Sequence, residues 1–303
     1  MKRLLFLLTF LLSFSLFASE TVKTNIYNLI EPESGDTEYV LFASNGFVYG
    51  LPVQDQLLAD KAREALGKGL PVELILNDQT EEEIENNERS SVKDIKVLEN
   101  EVPFASHFMP QVDMPGFVEP DAYSRPMDNF SVTRISQAQA NGLFRSMRND
   151  LRSKSQCYNR AHVWSWEIYN KYRYNTGKMF LFFTRKYINE YRYKWWFHVA
   201  PFISTSGQSQ YVVLDRQYFS SPREMHSWTD AFMKNNAHCP VLTRYSAYSR
   251  NQYKEYCYLI PAAMYYWQPW NLDYLEKYNQ KRTSFYQRDI NHAYRDARGW
   301  WPW

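Results

Sequence analysis

Long apolar runs are nearly absent from this 303-residue chain. Beyond its first nineteen residues no segment is long and uncharged enough for the roughly twenty residues a spanning helix needs, so stable membrane insertion is not expected. Cysteine is almost as scarce: Cys157, Cys239 and Cys257 are the whole complement. None lies near the start of the chain, which argues against a lipid-anchored lipoprotein. Spaced metal ligands are missing too. The one dense acidic run, Glu81-Glu82-Glu83-Ile84-Glu85, has no such spacing and reads as a solvated, partly disordered loop. Basic residues are scattered without a recognised binding module, which leaves no reason to expect a nucleic-acid partner.

What is present begins with an export signal. Lys2-Arg3, the apolar run Leu4 to Phe17 and then Ala18-Ser19-Glu20 have the layout of a secretory leader, so residues 1–19 are expected to be removed and the mature protein to be soluble and periplasmic or secreted. An oxidising compartment makes the odd cysteine count informative. Cys239 and Cys257 lie close in sequence and are the natural disulfide pair, which leaves Cys157 as the free thiol.

The formal net charge of +2 hides an asymmetry. Residues 20–102 hold 18 Asp and Glu against 7 Lys and Arg, a net of −11, whereas residues 103–303 hold 15 against 26, a net of +11. Between the two lies a segment with Pro103, Pro110, Pro115, Pro120 and Pro126 and little periodic pattern. This predicts an acidic N-terminal domain over 20–102, a proline-rich linker over 103–130 and a basic domain over 131–303.

In the acidic part, Tyr39 to Ser44, Asn45-Gly46 and Phe47 to Gly50 predict a hairpin. A helix from Asp55 or Gln56 to Gly67 and strands at Val72–Leu76 and Asp94–Leu98 complete a small α/β domain. In the basic part, the pattern predicts a helix from about Ser155 to Tyr172, capped by Ser153 or Ser155. Strands over 179–188, 194–203 and 210–218 and an amphipathic helix from Pro222 to about Asn235 follow. The aromatic clusters of residues 241–303 read as core rather than as a sugar or base platform.

Cys157 would then stand in the first turn of its helix, where free backbone N–H groups and the helix dipole favour a thiolate. His198, inside the second strand, and Asp215, toward the end of the third, can supply a base and an orienting carboxylate. The bland alternatives are a buried small thiol, a satisfied core histidine and a turn-capping aspartate. Cysteine, histidine and aspartate in this order favour chemistry. His162 lies well around the helix from Cys157 and suits a structural hydrogen bond. His226 and His238 read as surface or packing residues, and the role of Arg160 stays open.

Cys157-x-x-Arg160-Ala161-His162, Phe197-His198-Val199-Ala200-Pro201 and Val213-Leu214-Asp215 together resemble the protein-glutaminase family, in family order and over about residues 131–240. The resemblance implies an α+β fold with a papain/transglutaminase-like core, in which the nucleophile helix packs on an antiparallel sheet. It also implies a Cys157, His198, Asp215 triad that deamidates protein-bound glutamine through a thioester, without a cofactor. Secretion as a proenzyme is usual in that family, so residues 20–102 become a candidate inhibitory propeptide, and residues 241–303 a further extension. Leu151 stands six residues before Cys157, where a papain-like enzyme carries its glutamine oxyanion donor. The alternatives left by the residues are a cysteine peptidase or a transglutaminase using the same triad, or a non-catalytic cell-envelope binding protein.

Overall fold

Alternating side chains decide how the two parts of the chain meet. The computed structural model describes residues 20–101, 125–151, 156–206, 210–278 and 285–298; the leader, most of the proline-rich segment, Ser153 and Ser155 fall outside them. Strands β1 (Thr21–Ile30), β2 (Glu38–Ala43), β3 (Val48–Pro52), β4 (Pro71–Leu76) and β5 (Ser90–Val97) close into a barrel in the order β1-β2-β3-β5-β4. All pairings are antiparallel except β3 with β5. On β2, Tyr39, Leu41 and Ala43 point into the barrel, whereas Val40 and Phe42 point out of it, into the core of the second part. The expected α/β domain is therefore a small barrel with a helix on it, and its outer face is already committed to a partner.

Local signals place most barrel elements. The β2–β3 hairpin turns at Asn45-Gly46, where Gly46 takes φ +91°, a conformation that glycine adopts without strain. Helix α1 (Gln56–Lys68) starts where the Asp55 side chain accepts the Leu58 N–H and ends at Gly69 in the left-handed conformation. The Glu81 run is not a loop. It forms a short helix, α2 (Glu81–Glu85), because Thr80 and Glu83 cap each other's backbone N–H groups and three acidic side chains face the positive helix end.

The second part is built on a six-stranded sheet. Its strands are β6 (Arg134–Ile135), β7 (Gly177–Phe183), β8 (Phe197–Thr205), β9 (Tyr211–Val213), β10 (Arg223–Glu224) and β11 (Cys257–Ala263), in the order β10-β9-β8-β7-β11, with β6 parallel to β8. Helices α3 (Gln137–Ser146) and α4 (Cys157–Tyr172) precede β7. The central strands β7 and β8 are buried along their whole length, and α4 packs against both. Helices α5 (Arg185–Glu190), α6 (Met225–Asp230), α7 (Tyr245–Arg250), α8 (Pro269–Tyr278) and α9 (Gln287–Arg298) complete the domain, α9 lying against α4. The molecule is α+β, with a helix on a mainly antiparallel sheet.

Three expected elements are shorter in the structure. The strand expected to reach residue 188 stops at Phe183, because Thr184 caps α5 by accepting the Tyr187 N–H. The third expected strand ends at Val213, since the Asp215 carbonyl accepts the Tyr218 and Phe219 N–H groups and turns the chain. The helix expected over 222–235 spans only Met225–Asp230. The C-terminal aromatic region supplies β11, which pairs with β7, so it is integral to the sheet rather than appended to it. Tyr265, Tyr266 and Trp267 are buried in that core, as expected. Cys239 and Cys257 form the disulfide, and Cys157 is free. Among the described residues no helix is long and apolar enough to cross a membrane.

The residues just before β8 were expected to belong to that strand. Instead, Arg192–Trp196 bonds to the barrel. Val48 N–H donates to the Lys194 carbonyl (2.7 Å) and Trp196 N–H to that of Gly46 (3.2 Å). Lys194 N–H donates to the Asn87 carbonyl (3.1 Å) and Arg89 N–H to that of Arg192 (2.6 Å). Two barrel segments thus lie end to end in one antiparallel lane, with Phe47 opposite Trp195 and Glu88 opposite Tyr193. Charge reinforces this contact. Buried Arg89 binds Glu38 within the barrel (2.8 Å) and donates to the Ile188 carbonyl across the junction (2.9 Å), while Arg192 reaches Glu38 (3.3 Å) and Glu88 (3.1 Å). The opposite net charges of the two parts meet here.

Candidate active site

Cys157 is the first residue of α4 and is partly exposed. Gln156 takes the capping position and makes no side-chain cap bond, while the expected caps Ser153 and Ser155 lie outside the described residues. Among the described residues no capping side chain occupies the start of this sixteen-residue helix, whose dipole favours negative charge there.

His198 projects from β8 and is 3% exposed. Its Nε2 lies 2.7 Å from Asp215 Oδ2, and Cys157 hydrogen-bonds the same ring. With Nε2 engaged by the carboxylate, Nδ1 is the nitrogen left to face the thiol. Burial works against a charged imidazole here. The Asp215 carboxylate, by charge and hydrogen bond, and Cys157 after it outweigh that penalty and push the His198 pKa up to about 9. Asp215 is itself held: it is 1% exposed and accepts a second hydrogen bond from Trp228 Nε1 at 3.0 Å. Phe232 (4.5 Å), Tyr218 (5.2 Å) and Trp228 (5.7 Å) close an aromatic box around the histidine ring.

Cys157 and His198 open onto one cavity of about 60 Å³, room for a few waters rather than a chain segment. Gln156, Cys157, Arg160, Phe197, His198 and Tyr218 line it, and so do Asn45, Gly46 and Phe47 of the barrel hairpin. Arg160, whose role the sequence left open, is buried, faces this cavity and hydrogen-bonds Tyr218. Burial, offset in part by Arg160 and joined by the charges of Asp215 and Cys157, pushes the Tyr218 hydroxyl up to about 12.

The structure therefore brings Cys157, His198 and Asp215 to one place. It leaves His162 apart, buried against Lys178 Nζ and the Trp267 ring, and it sets His226 beside His238, ring centroids 4.7 Å apart and tilted. Leu151 is a core residue. Sequence reasoning missed Trp228, Tyr218 and the 45–47 turn. A tryptophan soon after Asp215 carried one available signal, since a buried indole N–H needs an acceptor. Nothing local marks a hairpin tip as the cover of a distant cavity. Among the described residues no cluster of three or more His, Cys, Asp or Glu side chains could hold a metal ion.

A family model described as glutaminase matches residues 133–232, the stretch that carries Cys157, His198, Asp215, Trp228 and Phe232. This region is similar to the glutaminase family, and the match covers 100 of the 303 residues. The match bears out the family reading made from the three sequence blocks. No curated protein sequence matches the chain. Among solved structures, a crystal structure of a mutant pro-protein-glutaminase is similar with a TM-score of 0.49 at 16% identity, covering 81% of this chain and 83% of that one. A second pro-protein-glutaminase crystal structure gives 0.44 at 14% identity, with the same coverage. The NMR structure of protein-glutaminase from Chryseobacterium proteolyticum gives 0.26 at 24% identity, over 32% of this chain and 63% of that one. The glutaminase match starts at residue 133, after the barrel and the proline-rich segment.

Proposed function

We propose that the chain is an exported protein-glutamine deamidase, made as a proenzyme whose residues 20–102 cover the active site. The observation that carries this reading is that Cys157, at a helix start, and His198, held by Asp215, meet at a single cavity, all three lying in the glutaminase-matched region. Cys157 transfers its proton to His198 and its sulfur attacks the side-chain carboxamide carbon of a substrate glutamine. The tetrahedral oxyanion lies at the start of α4, where the Cys157 backbone N–H is one donor. His198 returns the proton to the leaving nitrogen, and ammonia departs from a thioester. His198 then takes a proton from water, hydroxide adds to the thioester carbonyl, and glutamate leaves as the thiolate is restored. Asp215, steadied by Trp228, holds the imidazole through Nε2 and balances its positive charge. The papain/transglutaminase-like description of the core belongs to this reading. So does export, on the strength of the leader pattern and the Cys239–Cys257 disulfide.

The same arrangement supports inhibition by the barrel, because the 45–47 turn lines the cavity that a glutamine side chain must enter. The test incubates the intact chain, and the chain nicked by limited proteolysis within residues 102–124, with a glutamine-rich unfolded protein. Ammonia release and substrate mass are read, with Cys157→Ala as control. Deamidation predicts ammonia from an uncut, uncrosslinked substrate, more from the nicked form, and none from the control. Cut substrate would move the assignment to a peptidase and crosslinked substrate to a transglutaminase. An inert protein whose Cys157 resists alkylation near neutral pH would leave a binding protein.

A further inference from the structure

Next to the Cys157 cavity lies a second one, of about 340 Å³, which the proposed reaction does not use. Tyr193, Trp195, Tyr218, Phe232 and Met233 form its walls, and Lys234 and the exposed Ala231 lie at its rim. Trp195 and Tyr218 are common to both cavities, so one partition separates the reacting thiol from an aromatic groove. The barrel closes the two together. Asn45, Gly46 and Phe47 sit over the first cavity and Asn87 over the second, and both segments occupy the single antiparallel lane beside Arg192–Trp196.

We infer that this groove is a substrate subsite that takes an apolar side chain two residues C-terminal to the target glutamine. The inference rests on the deamidase reading. Its geometry comes from the lane. When the barrel leaves, Lys194 and Trp196 N–H and the Arg192 and Lys194 carbonyls lose their partners and can pair with an extended substrate chain. The lane runs antiparallel to residues 192–196, so its occupant passes Trp195 before it passes Tyr193. A residue opposite Trp195 is beside the Cys157 cavity, and the residue two further on is opposite Tyr193, at the groove. Side chains two apart point to the same face of an extended chain, so both are directed at the same wall of the enzyme. Four aromatic walls and a methionine thioether suit an aliphatic or aromatic side chain. A carboxylate or a glycine there would gain little.

The experiment uses the full-length protein opened by limited proteolysis within residues 102–124, and capped peptides with one glutamine. Phe, Leu, Gly or Asp is placed two residues after the glutamine or two residues before it. The result expected is a kcat/KM about tenfold higher for Phe or Leu than for Gly at the later position, with no such effect at the earlier one. Ala231→Trp, a rim substitution at an exposed position, fills the groove and removes the preference for Phe or Leu over Gly. Equal rates for all peptides, a preference confined to the earlier position, or a preference untouched by Ala231→Trp would overturn the subsite and leave the deamidase standing. Absence of ammonia from every peptide would instead remove the deamidase reading. In that case, affinity of the same peptides for the nicked Cys157→Ala protein decides the groove: tighter binding of the Phe peptide supports it and equal binding ends it.

Discussion

The proton on His198 is set by its neighbours rather than by exposure. Its ordinary value is 6.5, and Asp215 and Cys157 hold the folded-state value at about 9 against the opposing effect of burial. A group whose folded pKa is raised gives stability that is fully present below its unfolded pKa and is lost as pH rises through the folded one. The His198 contribution should therefore be complete below about pH 6.5 and fade on approach to about pH 9. Urea midpoints measured across this window should fall for the wild-type chain. In Asp215→Asn, which removes the carboxylate charge and keeps the shape, the decline should be shallower. An identical decline in both would mean that the pair does not set the titration. His198 and Asp215 were themselves legible in the sequence, because each lies in a short block with a recognisable neighbour pattern. Trp228 was not, because its part is defined only once the turn after β9 brings Asp215 beneath it.

Elements were legible where their signals are local. Asp55 and Gly69 bracket α1, and Asn45-Gly46 turns β2 into β3, so these came out close to expectation. Misplaced boundaries have one cause: an apolar residue is apolar whether a strand or a helix buries it. Tyr187 and Ile188 extend the pattern of β7 in sequence, yet they are the buried face of α5. Trp195 and Trp196 likewise extend β8 in sequence, whereas the Lys194 and Trp196 N–H groups and the Arg192 and Lys194 carbonyls bond to the barrel. That choice depends on a segment more than a hundred residues away and has no local signature. The disulfide also belongs to this scale. It ties the loop after α6 to the start of β11, across a sequence separation of 18 residues. Replacing Cys239 and Cys257 together by Ala should cost about 3 kcal/mol in the chain-entropy estimate. Thermal melting should fall accordingly, and β11, whose first residue is Cys257, should show faster amide exchange than β8. An unchanged melting temperature would place the tether in the class that adds nothing.

At the scale of the whole molecule, the charge asymmetry visible in the composition becomes a contact. Arg192 bridges Glu38 and Glu88 while Arg89 spans the junction to the Ile188 carbonyl. Arg192 is partly solvated, so its removal should weaken the junction without leaving a fully buried charge alone. In the nicked protein, Arg192→Ala should speed barrel loss on gel filtration, with the largest difference at low salt, where exposed charges are least screened. Salt-independent separation would assign the junction to packing alone.

Packing is in any case a large share of it. Val40, Phe42 and Val48 of the barrel are buried in the second part's core, Tyr27 and Phe42 stack on Trp196, and the Trp196 indole donates to the Ala43 carbonyl. Cutting the connecting chain therefore lets the barrel come and go rather than releasing it outright. Separation would present two complementary greasy faces to water, and the fragments would find each other again. On the proposed reading, activation is completed only when a protease consumes the barrel, so maturation runs in one direction and its pace is set by how readily that barrel unfolds.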